Sequence, residues 1–277
     1  MLTLQPRGEA AMIPRAPCET LPNNPVAIAL AQVRFPALPL FAERQHVAPF
    51  AESVLRRYPL WSEDRVVNLL VTDKGVAQQQ GEPQYRFSTP DYSWSVVFGA
   101  DQVALECRGP AYPGIVEFSE RFCEVTRALQ AHLPVHGQTR LGFRFINEIR
   151  IVGGNEYSFW RRVLNRNVLG YDAANEFEGV VQNTISELSV ARNDGVFRIR
   201  RGFIPGGSTV PPRPGAPSQP LGPFYLIDLD YFNEQYQDFN PNFEPRLRAY
   251  NDFIYQVFRW VTDGDGTLIA EFRRPRQ

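Results

Sequence analysis

Residues 140 to 150, RLGFRFINEIR, alternate so regularly that the chain there has little conformational choice. Leu141, Phe143, Phe145 and Ile149 fall at one parity, and Arg140, Arg144, Glu148 and Arg150 at the other. A helix would scatter both sets around its axis, whereas an extended chain sends successive side chains to opposite sides. The stretch therefore reads as a β-strand with one side against an apolar interior and a charged side turned away from it.

The same period recurs downstream. In FRIRR, Phe197 and Ile199 alternate with Arg198 and Arg200; in YLIDLDY, Tyr225, Ile227, Leu229 and Tyr231 alternate with Asp228 and Asp230. If these strands are neighbours, Arg144, Arg198 and Arg200 share a surface with Glu148, Asp228 and Asp230, and the charges cancel. Arg34, near the end of VAIALAQVRF, joins the set as the counterpart of Arg144 earlier in the chain. Such a face is either a ladder of cross-strand ion pairs that keeps an exposed sheet soluble, each worth about 0–1 kcal/mol, or a polar binding surface.

The order of elements carries the fold. An apolar strand from Val26 to Phe35 is followed by a helix with Val47, Phe50, Val54 and Leu55 at helical spacing, in which Pro49 is tolerable in the first turn. Strands are expected in VVNLLVT, QYRFS, SWSVVF and QVALECR, then a helix burying Ile115, Phe118, Phe122, Val125 and Leu129 and ending at Pro134. After residue 138 the order begins again. The strand at 140–151 leads to a helix capped by Asn155, and strands follow in NTISELSVAR, GVFRIRRGF and FYLIDLDYF. A last helix is expected after Asn240-Pro241, with Phe243, Leu247, Tyr250, Ile254, Val257 and Val261 on its buried stripe, and GTLIAEF reads as a short closing strand.

This pattern predicts an α+β protein made of duplicated strand-helix-meander-helix units. The two units merge into one curved antiparallel sheet with helices on one face, in the manner of TATA-binding-protein-like and helix-grip folds. The expected organisation is a flexible N-terminal arm at 1–24, a first half at 25–137 and a second half at 138–277. The second half carries a Pro- and Gly-rich loop at 205–223. The arm lacks a continuous apolar run, which argues against a secretory signal or membrane anchor, and Met12 within it offers an alternative start.

Composition narrows the function classes. Lys+Arg 29 against Asp+Glu 30 leaves a net charge of −1, so the chain exerts no general pull on a polyanion, and nucleic acid is disfavoured as a partner. Lysine occurs once, at Lys74, and arginine supplies the remaining positive charge. Cys18, Cys107 and Cys123 form no C-x-x-C pair, which speaks against a disulfide framework or structural zinc and suits a reducing cytoplasm. Asp228-x-Asp230 could face a divalent cation, but no third placed carboxylate or phosphate loop accompanies it. No nucleophile elbow, HExxH or Walker sequence occurs, so the residues call for no cofactor and no catalytic group.

At NNPVAIALAQVRFPAL, RLGFRFINEI and YLIDLDYF the chain resembles a sporadically distributed family of uncharacterised bacterial proteins. The most specific part is the central R-x-G-x-R-[YF]-x-N strand, here Arg140, Gly142, Arg144, Phe145 and Asn147. The patchy distribution of that family implies a mobile, accessory or defence-associated role and brings no established activity with it.

The leading expectation is a non-catalytic cytoplasmic binding or regulatory protein, accessory to a bacterial defence or toxin-control system. Its binding face would hold Arg34, Arg144, Glu148, Arg198, Arg200, Asp228 and Asp230 and meet a protein partner or a small ligand. Two alternatives are a metal-dependent enzyme acting on a nucleotide or RNA through Asp228 and Asp230, and a nucleic-acid-binding saddle suggested by fold analogy alone.

Overall fold

The computed structural model describes the backbone of residues 13, 15–19, 21–72, 75–151, 154, 156–169, 181–205, 209–210, 219–220 and 222–275. Side chains are described for all of these except 64–82, 209–210 and 219–220. Strand β1 (Val26–Arg34) is followed by α1 (Arg44–Leu55), by the meander β2 (Leu60–Thr72), β3 (Gly75–Ser88), β4 (Trp94–Gly99) and β5 (Gln102–Arg108), and by α2 (Ile115–His132). A short β6 (Gly137–Gln138) leads into β7 (Arg140–Ile149), α3 (Tyr157–Val163), α4 (Arg166–Leu169), β8 (Ser186–Arg192) and β9 (Gly195–Ile204). The chain continues through β10 (Thr209–Val210), β11 (Gln219–Pro220), β12 (Phe224–Asn233), β13 (Gln237–Asp238), α5 (Glu244–Val261) and α6 (Thr267–Phe272).

Nine of these strands form one antiparallel sheet in the order β2-β3-β4-β5-β1-β7-β12-β9-β8. From the central β1–β7 pair, one side runs outward through β5, β4, β3 and β2, the other through β12, β9 and β8. The protein is therefore α+β with a large antiparallel sheet and six helices among the described residues.

Register puts the apolar parity of every central strand on one side. Ala29 lies opposite Phe145, Ala31 opposite Phe143 and Val33 opposite Leu141; on the next strand Tyr225 faces Ile149, Leu229 faces Phe145 and Tyr231 faces Phe143. All of these side chains are buried. The helices close over them. Phe50 of α1 meets Phe98 at 4.7 Å, Phe118 of α2 meets Phe143 at 5.4 Å, Trp160 of α3 meets Tyr225 at 5.3 Å, and Tyr250 of α5 stacks on Tyr231 at 4.5 Å. Each large side chain so buried contributes about 1.5–3 kcal/mol before entropy is subtracted.

The long helices follow their stripes: α2 buries Phe118, Phe122, Val125 and Leu129, and α5 buries Leu247, Tyr250, Ile254, Val257 and Val261. Their starts differ from expectation. Asn240 does not cap α5; its Oδ1 accepts from the Asn242 amide at 2.9 Å in a turn, and the helix begins four residues later with Pro245 in its first turn. The cap position of α3 is Glu156, with no side-chain hydrogen bond, and Asn155 lies outside the described residues. Pro49 sits at the sixth residue of α1, past the first turn. GTLIAEF, expected as a strand, is the helix α6. Asp265 Oδ1 accepts from the Thr267 amide at 3.0 Å, and Leu268, Ile269 and Phe272 turn together toward the core.

Of the segment expected as a loose arm, residues 13, 15–19 and 21–24 are described, and Ala16, Glu19 and Asn23 bond to α5 and α6. The Ala16 amide donates to Gln256 Oε1 at 2.6 Å while Gln256 Nε2 donates back to the Ala16 carbonyl at 2.8 Å. Glu19 accepts from both Arg259 and Arg273, and the Asn23 amide donates to the Phe272 carbonyl at 3.0 Å. Met1, Met12 and all of the 205–223 loop except 205, 209–210, 219–220 and 222–223 lie outside the described residues. No described helix is long and apolar enough to cross a membrane.

Candidate functional site

The face of the sheet opposite the helices holds all seven residues singled out from the sequence. Strand pairing fixes their neighbours. Arg144 on β7 stands opposite Leu30 on β1 and Asp230 on β12; Asp230 stands opposite Arg198 on β9; Asp228 stands opposite Arg200, which in turn stands opposite Glu187 on β8. Arg34 lies at the end of β1, beside Arg140 and Gln102.

Two ion pairs form the base of this face, and they differ in quality. Arg144 grips Asp228 with two parallel bonds, Nε to Oδ1 at 2.7 Å and Nη2 to Oδ2 at 2.6 Å, and this bidentate bond raises the guanidinium pKa. Arg140 reaches Asp230 less closely, at 3.2 and 3.5 Å, and also donates to Gln32 Oε1 at 2.7 Å. Both members of the second pair lie deep. Burial pushes the Asp230 carboxyl upward against the pull of Arg140 and Arg144, and burial lowers the Arg140 guanidinium against the pull of Asp230 and Glu234.

Gly142 explains how Arg140 fits. A β-carbon at that position would overlap the Arg140 guanidinium, which lies across the glycine and over the Phe232 ring at 4.6 Å. The first and third positions of R-x-G-x-R therefore act as one unit, the missing side chain making room for the arginine.

Around this base the remaining charges are more exposed. Arg200 donates to Glu187 Oε2 at 3.0 and 2.6 Å, and Arg198 lies 3.6 Å from the same carboxylate and donates to Ser189 at 3.3 Å. The hydrogen bond from Arg200 holds the Glu187 carboxyl below its ordinary range. Glu148 pairs with Arg150 at 2.8 Å and stands apart from the central network. Arg34 is exposed and forms no ion pair among the described residues. The structure thus brings Arg144, Asp228, Asp230, Arg198 and Arg200 together and leaves Arg34 and Glu148 at the margins.

Several members of the network lie outside the set read from the sequence. Glu187 completes the Arg198–Arg200 cluster, and Gln32, hydrogen-bonded to Gln102, joins β5 to Arg140. On the first-half strands Arg86 donates to Glu106 at 2.7 Å. Their signal was the same alternation, present in QYRFS and QVALECR. Phe224 and Phe232, also on this face, lie under Arg150 and under Arg140 and Arg198, so the guanidinium planes rest on rings.

The chemistry available is recognition by planar guanidinium forks set among carboxylates. Among the described residues no group of three or more His, Cys, Asp or Glu side chains could hold a metal ion. Cys107 is buried in the core, and burial pushes its thiol up to about 12, so it stays protonated. No protein-family model matches the chain, and no curated protein matches it.

Proposed function

We propose that this protein is a non-catalytic binding or regulatory protein that presents the arginine-carboxylate face of its sheet to a protein partner or a small polar ligand. The observation that carries the reading is the contrast within that face. Arg140, Asp230 and Asp228 are largely covered, while the side chains of Arg144, Arg198 and Arg200 keep 36%, 42% and 43% of their surface accessible and Arg34 is exposed. Pairing within the face, Arg144 with Asp228 and Arg198 and Arg200 with Glu187, holds the accessible guanidinium groups in place ahead of binding. Balanced charge favours recognition by matched pairs over long-range attraction.

The strand order on either side of the β1–β7 pair supports a duplicated origin and a TATA-binding-protein-like or helix-grip architecture. In both halves the opening strand is followed by a helix, and the last strand of the meander returns beside the opening one. The resemblance at Arg140, Gly142, Arg144, Phe145 and Asn147 supports an accessory role in a bacterial defence or toxin-control system. Free Cys107 and Cys123 accord with a reducing compartment.

Affinity purification with the products of neighbouring genes tests the reading. Wild type is compared with Arg144→Ala and with an Arg34→Glu/Arg198→Glu/Arg200→Glu variant. A partner or small molecule retained by wild type and lost by the triple variant, with both proteins melting cooperatively, is the expected result. Equal behaviour of all three proteins counts against it.

A further inference from the structure

On the opposite side of the sheet from the arginine array, a cavity of about 280 Å³ lies between residues 18–19, 21 and 24–26, the start of α2, the strands β7 and β12, and α5. The cavity is partly open to solvent, so a small molecule can reach its apolar wall. The wall is mostly apolar, with Leu21, Phe145, Leu229, Ile254 and Phe258 upon it. Glu19, the charged residue of the lining, is committed to Arg259 and Arg273. Burial pushes up the pKa of the Tyr112 hydroxyl on the same wall, which stays neutral.

Of the polar side chains on the described wall, Asn147 is the most deeply buried. Asn147 is 3% exposed and lines the cavity; its Nδ2 donates to the Ile227 carbonyl at 2.9 Å, and no described residue donates to its Oδ1. An acceptor set in a mostly apolar wall selects for a molecule that supplies a donor to it. An apolar cavity of ~150 Å³ holds benzene, so one of this volume accommodates about ten to twelve non-hydrogen atoms.

We propose that this cavity binds a neutral, largely apolar molecule of that size carrying one hydrogen-bond donor, which Asn147 Oδ1 accepts. The site is separate from the arginine face, since Asn147 and Arg144 point to opposite sides of β7. The absence of a free charge on the described wall selects against ions.

Indole, neutral and with a single N–H, is the probe, and indene, of the same shape without the donor, is its control. Calorimetric titration of the full chain is expected to show one indole site with a Kd below about 1 mM and indene about three- to tenfold weaker. Asn251→Trp and Ile115→Trp fill the cavity from half-buried positions. Each is expected to weaken indole by about tenfold or more while keeping a cooperative melt. Amide chemical-shift mapping on the wild type is the second measurement, with indole-induced changes expected around residues 145–147 and 251–258. No binding near the solubility limit, shifts confined elsewhere, or folded filling variants that bind indole as wild type does would overturn the site. Equal affinity for indole and indene would overturn the role of Asn147.

Discussion

Arg144 stands directly opposite Asp230 in the β7–β12 ladder yet gives its guanidinium to Asp228, two residues along the same strand. The diagonal partner wins because it allows two short parallel bonds, and Asp230 is left to the longer contact with Arg140. Asp228 is 6% exposed, so its removal strands a half-covered guanidinium.

Asp228→Ala is therefore expected to cost about 1–3 kcal/mol, more than a surface pair would. Replacing both partners, as Arg144→Met/Asp228→Leu, should cost less than Asp228→Ala alone, because no charge is left without a partner. Urea denaturation of the three proteins measures this, and a double variant less stable than Asp228→Ala would contradict it.

Gly142→Ala is expected to push the Arg140 guanidinium off Asp230 and Phe232 and to cost about 1–3 kcal/mol. In an Arg140→Ala background the same change should cost much less, since the overlapping group is gone. The double-mutant cycle reads the coupling directly; additive effects would show that the glycine serves another purpose.

The two sides of the sheet were legible in the sequence because strand periodicity is a local property. Leu141, Phe143 and Phe145 alternate with Arg140 and Arg144, and the fold turns them to opposite sides as the period requires. Helix boundaries were less legible. In GTLIAEF the run of apolar residues suits either a strand or a helix, and the helix follows a turn in which Asp265 Oδ1 accepts from the Thr267 amide, a hydrogen bond that the Asp-Gly-Asp-Gly turn signal hides. Asn240-Pro241 has the chemistry of a helix start, but the turn it makes precedes Phe243, whose ring packs on Phe122 and Phe239 before the helix begins. The cavity was invisible, because its walls come from segments spread between residues 18 and 258 that meet only through tertiary packing.

The segment before β1 is tied down by charge. A hydrogen bond from Arg273, with the nearby Arg259 adding to it against a smaller opposing effect of burial, holds the Glu19 carboxyl below its ordinary range. A carboxyl lowered in the folded state stabilises the fold at pH values above its unfolded pKa and loses that contribution as the pH falls through the folded value. Glu19→Gln should thus be less stable than wild type by about 1 kcal/mol at pH 7, and the difference should shrink once the pH drops below about 4. Thermal melts across that range check the sign; a difference that grows on acidification would contradict it.

The central claim is that binding takes place on the arginine face and not over the helices. Arginine-selective labelling with phenylglyoxal, quantified by peptide mass spectrometry with and without an extract of the native cell, tests it most directly. Arg34, Arg198 and Arg200 on the open face, and Arg57 and Arg127 on the helix side, are all accessible in the free protein. Slower labelling of Arg34, Arg198 and Arg200 in the extract, with Arg57 and Arg127 unchanged, is the predicted result. Protection that falls on Arg57 and Arg127 instead, or identical rates at every arginine, would contradict the account.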